Sequence, residues 1–207
     1  MTIVSHAHKF IFLKTAKTAG TSIEVTLSPL CGPEDVVTPI FPLEPGHEAR
    51  NFEMGPRKFV NHMGGRQVRK FLGEETYNAY SKFCVEREPV DKCLSHFAML
   101  KHSGDHAAED VPQSWEAYVE RGKFLAEHKR YTDEDGSLIV DRVIRYERLA
   151  EELAEVLLPL GVAWRGLTST AKSGFRKEGV PRRDEVTPEV EALIYKAFEH
   201  PANPYFG

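Results

Sequence analysis

The stretch KFIFLKTAKTAGTSIEVTL, residues 9–27, decides the fold predicted for this chain. Its apolar start, residues 9–13, is typical of a short buried strand. A polar turn over residues 14–20 follows, and residues 22–27 predict a helix with Thr21 or Ser22 as its N-cap. A strand, a turn and a helix start in this order form an anion site, because the first helical turn presents backbone N–H groups without intrahelical partners.

Short apolar runs alternate with helical periodicity over the rest of the chain. Two further strand regions are predicted at residues 83–85 and 138–146. Helices are predicted at residues 64–82, 89–100, 115–128, 147–160 and 188–200. This alternation predicts an α/β fold in one domain, residues 1–207, with a central, mainly parallel sheet flanked by helices.

The composition excludes several classes of function. The chain has 27 Lys and Arg residues against 31 Asp and Glu residues, and this net charge of -4 disfavours nucleic-acid binding. Its 3 cysteines are predicted to be buried free thiols, which fits a reducing compartment. The sequence shows neither a secretory leader pattern nor a run of 18 apolar residues, so we expect a cytoplasmic protein without a membrane span. The histidine spacing predicts no metal site.

The first loop offers several donors to an anion. Lys17 supplies a flexible cation, and Thr18, Thr21 and Ser22 supply hydroxyl groups. The loop does not match the Walker A pattern G-x-x-x-x-G-K-[ST], because Lys17 precedes the loop's glycine, Gly20, by three residues. The alternative is an ordinary strand-to-helix turn that is rich in hydroxyl side chains.

A second motif, REPVDKCLSH, occupies residues 87–96. Arg87 follows a predicted strand, and Ser95 comes about two helical turns later. An arginine fork and a hydroxyl group that converge on one phosphate would bind it with charge-assisted hydrogen bonds. The alternative is a surface arginine and a helical serine that share no task.

Together the two motifs resemble those of the carbohydrate-type sulfotransferases, whose members look like F-L-H-I-P-K-T-[AG]-G-T-S and V-R-[DN]-P-x-[DE]-R-x-x-S-x-[YF]. The resemblance continues at residues 143–149 and 173–177, and it implies a P-loop-like three-layer fold. The departures are Ala16 where the family has proline, Lys14 where it often has histidine, and Glu88 where Asp or Asn is commoner.

The resemblance also implies the co-substrate, 3′-phosphoadenosine 5′-phosphosulfate (PAPS). The first loop would bind its 5′-phosphosulfate, the second motif its 3′-phosphate, and a basic loop would close over the nucleotide. The residues so implied to bind PAPS are Lys17, Thr18, Ala19, Gly20, Thr21, Ser22, Arg87, Ser95, Arg176 and Lys177.

Sulfuryl transfer to a hydroxyl group requires a base and a cation beside the leaving phosphate. We expect Lys17 to be that cation. The segment NHMGG, residues 61–65, resembles a family segment whose histidine faces the acceptor, so His62 is the expected base. His62 as a purely structural loop histidine is the alternative, and His47 and Glu48 are the next candidates for the base. Glu147 is expected to cap a helix or to pair with a cation.

Two other functions remain open at this point. A P-loop small-molecule kinase would need a magnesium-binding carboxylate near the first loop, and the third possibility is a non-catalytic nucleotide-binding relative. The expected acceptor is a carbohydrate or another small molecule with a hydroxyl group. Residues 29–57 and 102–136 are expected to shape its pocket, since neither segment resembles a nucleotide motif.

Overall fold

The computed structural model describes residues 2–102, 104, 107, 111–168 and 179–206. Their main sheet has five strands, which are β1 (Thr2–Ser5), β2 (Phe10–Leu13), β3 (Val36–Val37), β6 (Ser81–Glu86) and β7 (Arg142–Arg145). They lie across the sheet in the order β3-β1-β2-β6-β7. A separate two-stranded ribbon joins β4 (Glu53–Met54) to β5 (Arg57–Lys58).

Helices follow the three parallel strands, β2, β6 and β7, along the chain. The α-helices of the described residues are α1 (Gly20–Leu27), α2 (Gly65–Leu72), α3 (Glu74–Ala79), α4 (Pro89–His102), α5 (Trp115–Arg121), α6 (Leu149–Leu157) and α7 (Pro188–Phe198). No helix of this described part is long and apolar enough to cross a membrane.

The side chains of β2 alternate between two hydrophobic cores. Phe10 and Phe12 pack in one core with residues of α1 and α6. Ile11 and Leu13 pack in the other with residues of α2 and α3. Because successive strand residues point to opposite faces, the sheet is covered by helices on both sides. A third cluster joins α4, α5 and α7. The predicted α/β class is therefore confirmed.

The prediction of a mainly parallel sheet is right only at the centre. β2 is parallel to β6, and β6 is parallel to β7. β1 is antiparallel to both of its neighbours, β2 and β3, so the sheet as a whole is mixed. β1 was not predicted, because buried Thr2 and Ser5 flank its two apolar residues and interrupt the apolar run.

Some predicted boundaries are also wrong. The helix predicted at residues 115–128 ends at Arg121, because Gly122 adopts a left-handed conformation with φ 60°. Residues 138–140 contribute only an isolated bridge from Leu138 to Thr132. The three cysteines are free and buried, as expected. Arg176 and Lys177 lie outside the described residues.

Candidate anion-binding site

Three segments meet at the carboxyl edge of the parallel strands. The first loop, defined here as residues 14–19, follows β2, whereas Arg87 follows β6 and Tyr146 follows β7. Parallel neighbouring strands end at the same edge of a sheet, and this edge is where open α/β sheets bind their ligands. The two motifs, separated by about 70 residues in the sequence, are therefore neighbours in the structure.

Two residues of the first loop adopt left-handed backbone conformations. Lys17 and Ala19 both have positive φ values, 63° and 59°. Left-handed residues are characteristic of the turns whose successive N–H groups bind anions. Ala19 is the N-cap of α1, and no side chain caps this helix. The expected cap by Thr21 or Ser22 is wrong, since both residues already lie within the first helical turn, where N–H groups have no intrahelical partner.

Lys14 forms the buried floor of the loop. Its Nζ lies 2.9 Å from Oε2 of Glu24 and 3.0 Å from Oγ1 of Thr21. The lysine stem runs directly beneath Gly20, where an added Cβ would come within 2.5 Å of Lys14 Cγ. A residue larger than glycine therefore cannot start α1 unless Lys14 moves. The Lys14 ammonium group is paired with Glu24 inside the protein, so it belongs to the loop's own structure.

The hydroxyl group of Thr18 donates a hydrogen bond within the first loop. Thr18 is fully buried, and its Oγ1 lies 3.1 Å from the carbonyl oxygen of Thr15, to which it donates. The Thr15 hydroxyl in turn donates to the carbonyl oxygen of Val85 in β6. These bonds tie the loop to the adjacent strand. Any contact between Thr18 and an anion would therefore use the backbone N–H and not the side chain.

Arg87 reaches the first loop directly. Its Nη1 lies 3.3 Å from the carbonyl oxygen of Lys17, and its Nε lies 2.7 Å from Oδ2 of Asp91. The guanidinium group also stacks 4.1 Å above the ring centre of Tyr146. Arg87 Nη2 donates to Asp91 as well, so three of the five guanidinium N–H groups are engaged. Ser95 lies half-buried in α4, and no hydrogen bond in the described structure joins its side chain to Arg87.

Two glutamates organise the backbone beside Arg87. Glu88 caps α4, because its carboxylate accepts hydrogen bonds from the N–H groups of Val90 and Asp91 at 3.2 and 2.7 Å. Glu147 Oε1 accepts the N–H of Glu88 at 3.1 Å. Glu147 therefore supports the start of a neighbouring helix, which differs from the expected cap of its own helix.

A buried network of charges contacts the loop, and no sequence pattern predicted it. Lys92 is fully buried, and its Nζ lies 2.9 Å from Oε1 of Glu86 and 3.4 Å from Oε2 of Glu127. Burial raises the pKa of Glu86, against the opposing effect of Lys92. Burial also acts to raise the pKa of Glu127, but Lys92, the Ala16 N–H and Arg130 outweigh it, and the pKa is lowered. Glu127 therefore remains a carboxylate.

His62 lies beside the start of the loop. Its Nδ1 is 3.3 Å from the carbonyl oxygen of Lys14, and its own carbonyl oxygen accepts a hydrogen bond from Arg130 Nη1. A proton on Nδ1 leaves Nε2 as the acceptor, which is the tautomer that a base requires. Burial, assisted by the positive charge of Lys14, lowers the pKa of His62 to about 3. The imidazole is therefore neutral at physiological pH.

His47 and Glu48 line an open cavity of about 770 Å³ near Ser28 and Pro29, just beyond the C-terminal end of α1. Glu48 is exposed there. Because α1 has 8 residues, the two ends of this helix are separated by roughly 12 Å. This placement favours His62 over Glu48 as the base for chemistry at the first loop.

The described residues contain no group of three or more His, Cys, Asp or Glu side chains that could hold a metal ion. Comparisons of the chain with protein-family models, with curated proteins and with solved structures found no significant match.

Proposed function

We propose that this chain is a sulfotransferase, which moves the sulfuryl group of PAPS to a hydroxyl group of a carbohydrate or another small molecule. The observation that carries the proposal is the contact between the two motifs, in which Arg87 Nη1 lies 3.3 Å from the carbonyl oxygen of Lys17. Two anion-binding elements from adjacent parallel strands are thereby joined. Such a pair suits a nucleotide that carries separate charged groups on its 5′ and 3′ positions.

The proposed reaction is a single in-line displacement at sulfur. The acceptor oxygen forms a bond to sulfur while the bond from sulfur to the 5′-phosphate oxygen breaks, and that oxygen keeps the electron pair. Lys17 and the N–H groups at the start of α1 neutralise the growing charge on the leaving phosphate. Nε2 of His62 takes the acceptor's proton, since Nδ1 is oriented by the Lys14 carbonyl group.

The carboxylates near the first loop favour this reaction over a magnesium-dependent kinase. Carboxylates do lie near the loop, but Glu24 and Glu127 already face cations. Glu24 pairs with Lys14 at 2.9 Å, and Glu127 pairs with Arg130 at 2.5 Å and with Lys92 at 3.4 Å. A metal ion at the loop would have to compete with these buried pairs. The buried free cysteines are compatible with the proposed cytoplasmic location.

Thermal unfolding with added ligands tests the donor site. A ligand at 100 times its Kd stabilises the folded state by about 2.7 kcal/mol, which for a chain of this size raises Tm by roughly 5–11 °C. We expect this shift with adenosine 3′,5′-bisphosphate and a smaller one with ATP and Mg²⁺. A preference for ATP with Mg²⁺ would refute the proposal in favour of the kinase. Failure to transfer label from ³⁵S-PAPS to any of a broad panel of hydroxyl acceptors would indicate a non-catalytic relative.

Arg87→Ala tests the second motif. Losing a charge-assisted contact of about 1.5–3 kcal/mol should weaken binding of the bisphosphate by about 10- to 150-fold. The matched control is Arg182→Ala, because the Arg182 side chain is 73% exposed and pairs with surface carboxylates. Isothermal titration calorimetry of both variants gives the affinities. Equal affinities for Arg87→Ala and the wild type would remove Arg87 from the site.

A further inference from the structure

One carboxylate connects the first loop to the segment that contains His62. Glu127 Oε2 accepts the backbone N–H of Ala16 at a distance of 2.5 Å. Glu127 Oε1 lies 2.5 Å from Nε of Arg130, whose Nη1 donates to the carbonyl oxygen of His62. The proposed donor site and the proposed base are thus held by opposite oxygens of a single side chain.

This arrangement is costly to bury. The side chain of Glu127 is only 8% exposed, and its partner Lys92 is fully buried against Glu86, which is 1% exposed. Replacing buried ion pairs by apolar residues is often neutral or stabilising, so a buried pair is weak grounds for a role in stability alone. Its geometry is more informative. Glu127 is 111 positions away from Ala16 in the sequence, yet its carboxylate accepts the backbone N–H of Ala16 in the first loop.

We propose that Glu127 is a positioning residue, which fixes the start of the first loop through the Ala16 N–H and fixes the His62 segment through Arg130. The Lys92 ammonium group helps to keep Glu127 in its charged form. The same ammonium group also pairs with the carboxylate of Glu86. The inference rests on the proposed function in one respect, namely that the loop it positions binds the phosphosulfate.

Glu127→Gln is the decisive variant. The amide keeps the shape of the side chain but removes its charge, and it turns an N–H donor towards the Ala16 N–H, Lys92 or Arg130. Because misplacing binding groups by about 1 Å costs up to 100-fold, we expect its affinity for adenosine 3′,5′-bisphosphate to fall by about 10- to 100-fold. Calorimetry well below the Tm of each variant separates this effect from lost stability.

Glu152→Gln is the matched control. Glu152 is also a buried carboxylate, 2% exposed, that accepts a backbone N–H and an arginine, both from Arg145. We expect this variant to bind the bisphosphate within about twofold of the wild type, since sites without shared partners behave independently. An equal loss of affinity in both variants, or no loss in Glu127→Gln, would overturn the positioning role. If Glu127→Gln does not fold, Glu127→Asp keeps the charge and shortens the reach, and the same comparison applies.

Arg130→Gln tests the His62 half of the inference. Arg130 contacts the His62 carbonyl group directly and reaches the first loop only through Glu127, so we expect kcat to fall more than the affinity for the bisphosphate. An unchanged kcat would contradict the link to His62.

A ligand-free measurement separates this inference from the proposed function. Hydrogen exchange of the Ala16 amide should be at least about tenfold faster in Glu127→Gln than in the wild type, and unchanged in Glu152→Gln, because exchange reports the local opening of that hydrogen bond. If the wild type binds no bisphosphate, the proposed function fails, and the exchange rates still decide whether Glu127 holds the loop. Unchanged exchange at Ala16 in Glu127→Gln would overturn the inference by itself.

Discussion

Lys92→Met is the perturbation that most directly tests the buried charges beneath the loop. The ammonium group of Lys92 lies 2.9 and 3.0 Å from the two oxygens of Glu86 and 3.4 Å from Glu127. Methionine fills a similar volume but leaves the Glu86 carboxylate buried without its cation. Removing one partner of a buried pair costs about 3–5 kcal/mol, which corresponds to a fall in Tm of roughly 6–20 °C.

Urea unfolding, monitored by circular dichroism, measures how much the free energy of unfolding falls. Lys82→Met is the control, because Lys82 is similarly buried, while its partner Asp141 is 54% exposed and returns to water when the lysine is removed. We expect the control to lose less than about 1 kcal/mol through this pair. The double variant Lys92→Met with Glu86→Gln should recover most of the loss, since Glu127 still has Arg130.

The pH dependence of this loss has a definite sign. Burial raises the pKa of Glu86, and Lys92 opposes that rise, so removing Lys92 raises the pKa further. A raised pKa in the folded state means that stability is lost as the pH rises through it, and is regained as the pH falls. The loss in the free energy of unfolding of Lys92→Met, relative to the wild type, should therefore be smaller at about pH 5 than at about pH 8. A loss below about 1 kcal/mol at the higher pH, or one that grows on acidification, would refute the buried-charge reasoning.

Two more variants test the loop and the base. Gly20→Ala should lower the free energy of unfolding by about 1–3 kcal/mol and weaken bisphosphate binding, because its Cβ would meet the Lys14 stem. Gly32→Ala is the control in urea unfolding, since its Cβ would make only contacts of 3.4 Å or more. Equal losses of stability in the two variants would contradict the explanation. His62→Asn should lower kcat by about 10²- to 10⁴-fold and leave bisphosphate affinity unchanged, whereas His8→Asn, at a histidine that also faces a carbonyl oxygen, should change neither. Because burial lowers the pKa of His62 to about 3, His62 should stay neutral between about pH 8 and pH 5, and kcat should not fall through its protonation. A fall in kcat near pH 6 that disappears in His62→Asn would contradict the lowered pKa of His62.

Local patterns were sufficient for the elements around the first loop. The apolar run before Lys14 predicted β2, the following turn and helix were placed within a residue or two, and Pro89 marked the start of α4. β1 was not predicted at all, because a four-residue strand with polar residues at both ends has no distinctive periodicity.

The sequence by itself determined the α/β class and the polar turn between β2 and α1, because these features depend on neighbouring residues whose spacing is visible in the chain. The candidate residues Lys17, His62 and Arg87 came from the resemblance of short segments to a known family. Only the tertiary structure decided that Lys14 lies beneath Gly20 and that Arg87 contacts the loop backbone. It alone also decided that Glu127 links Ala16 to Arg130. A glutamate 111 positions away becomes a partner of the loop only when folding excludes water and leaves each buried charge in need of an opposite one.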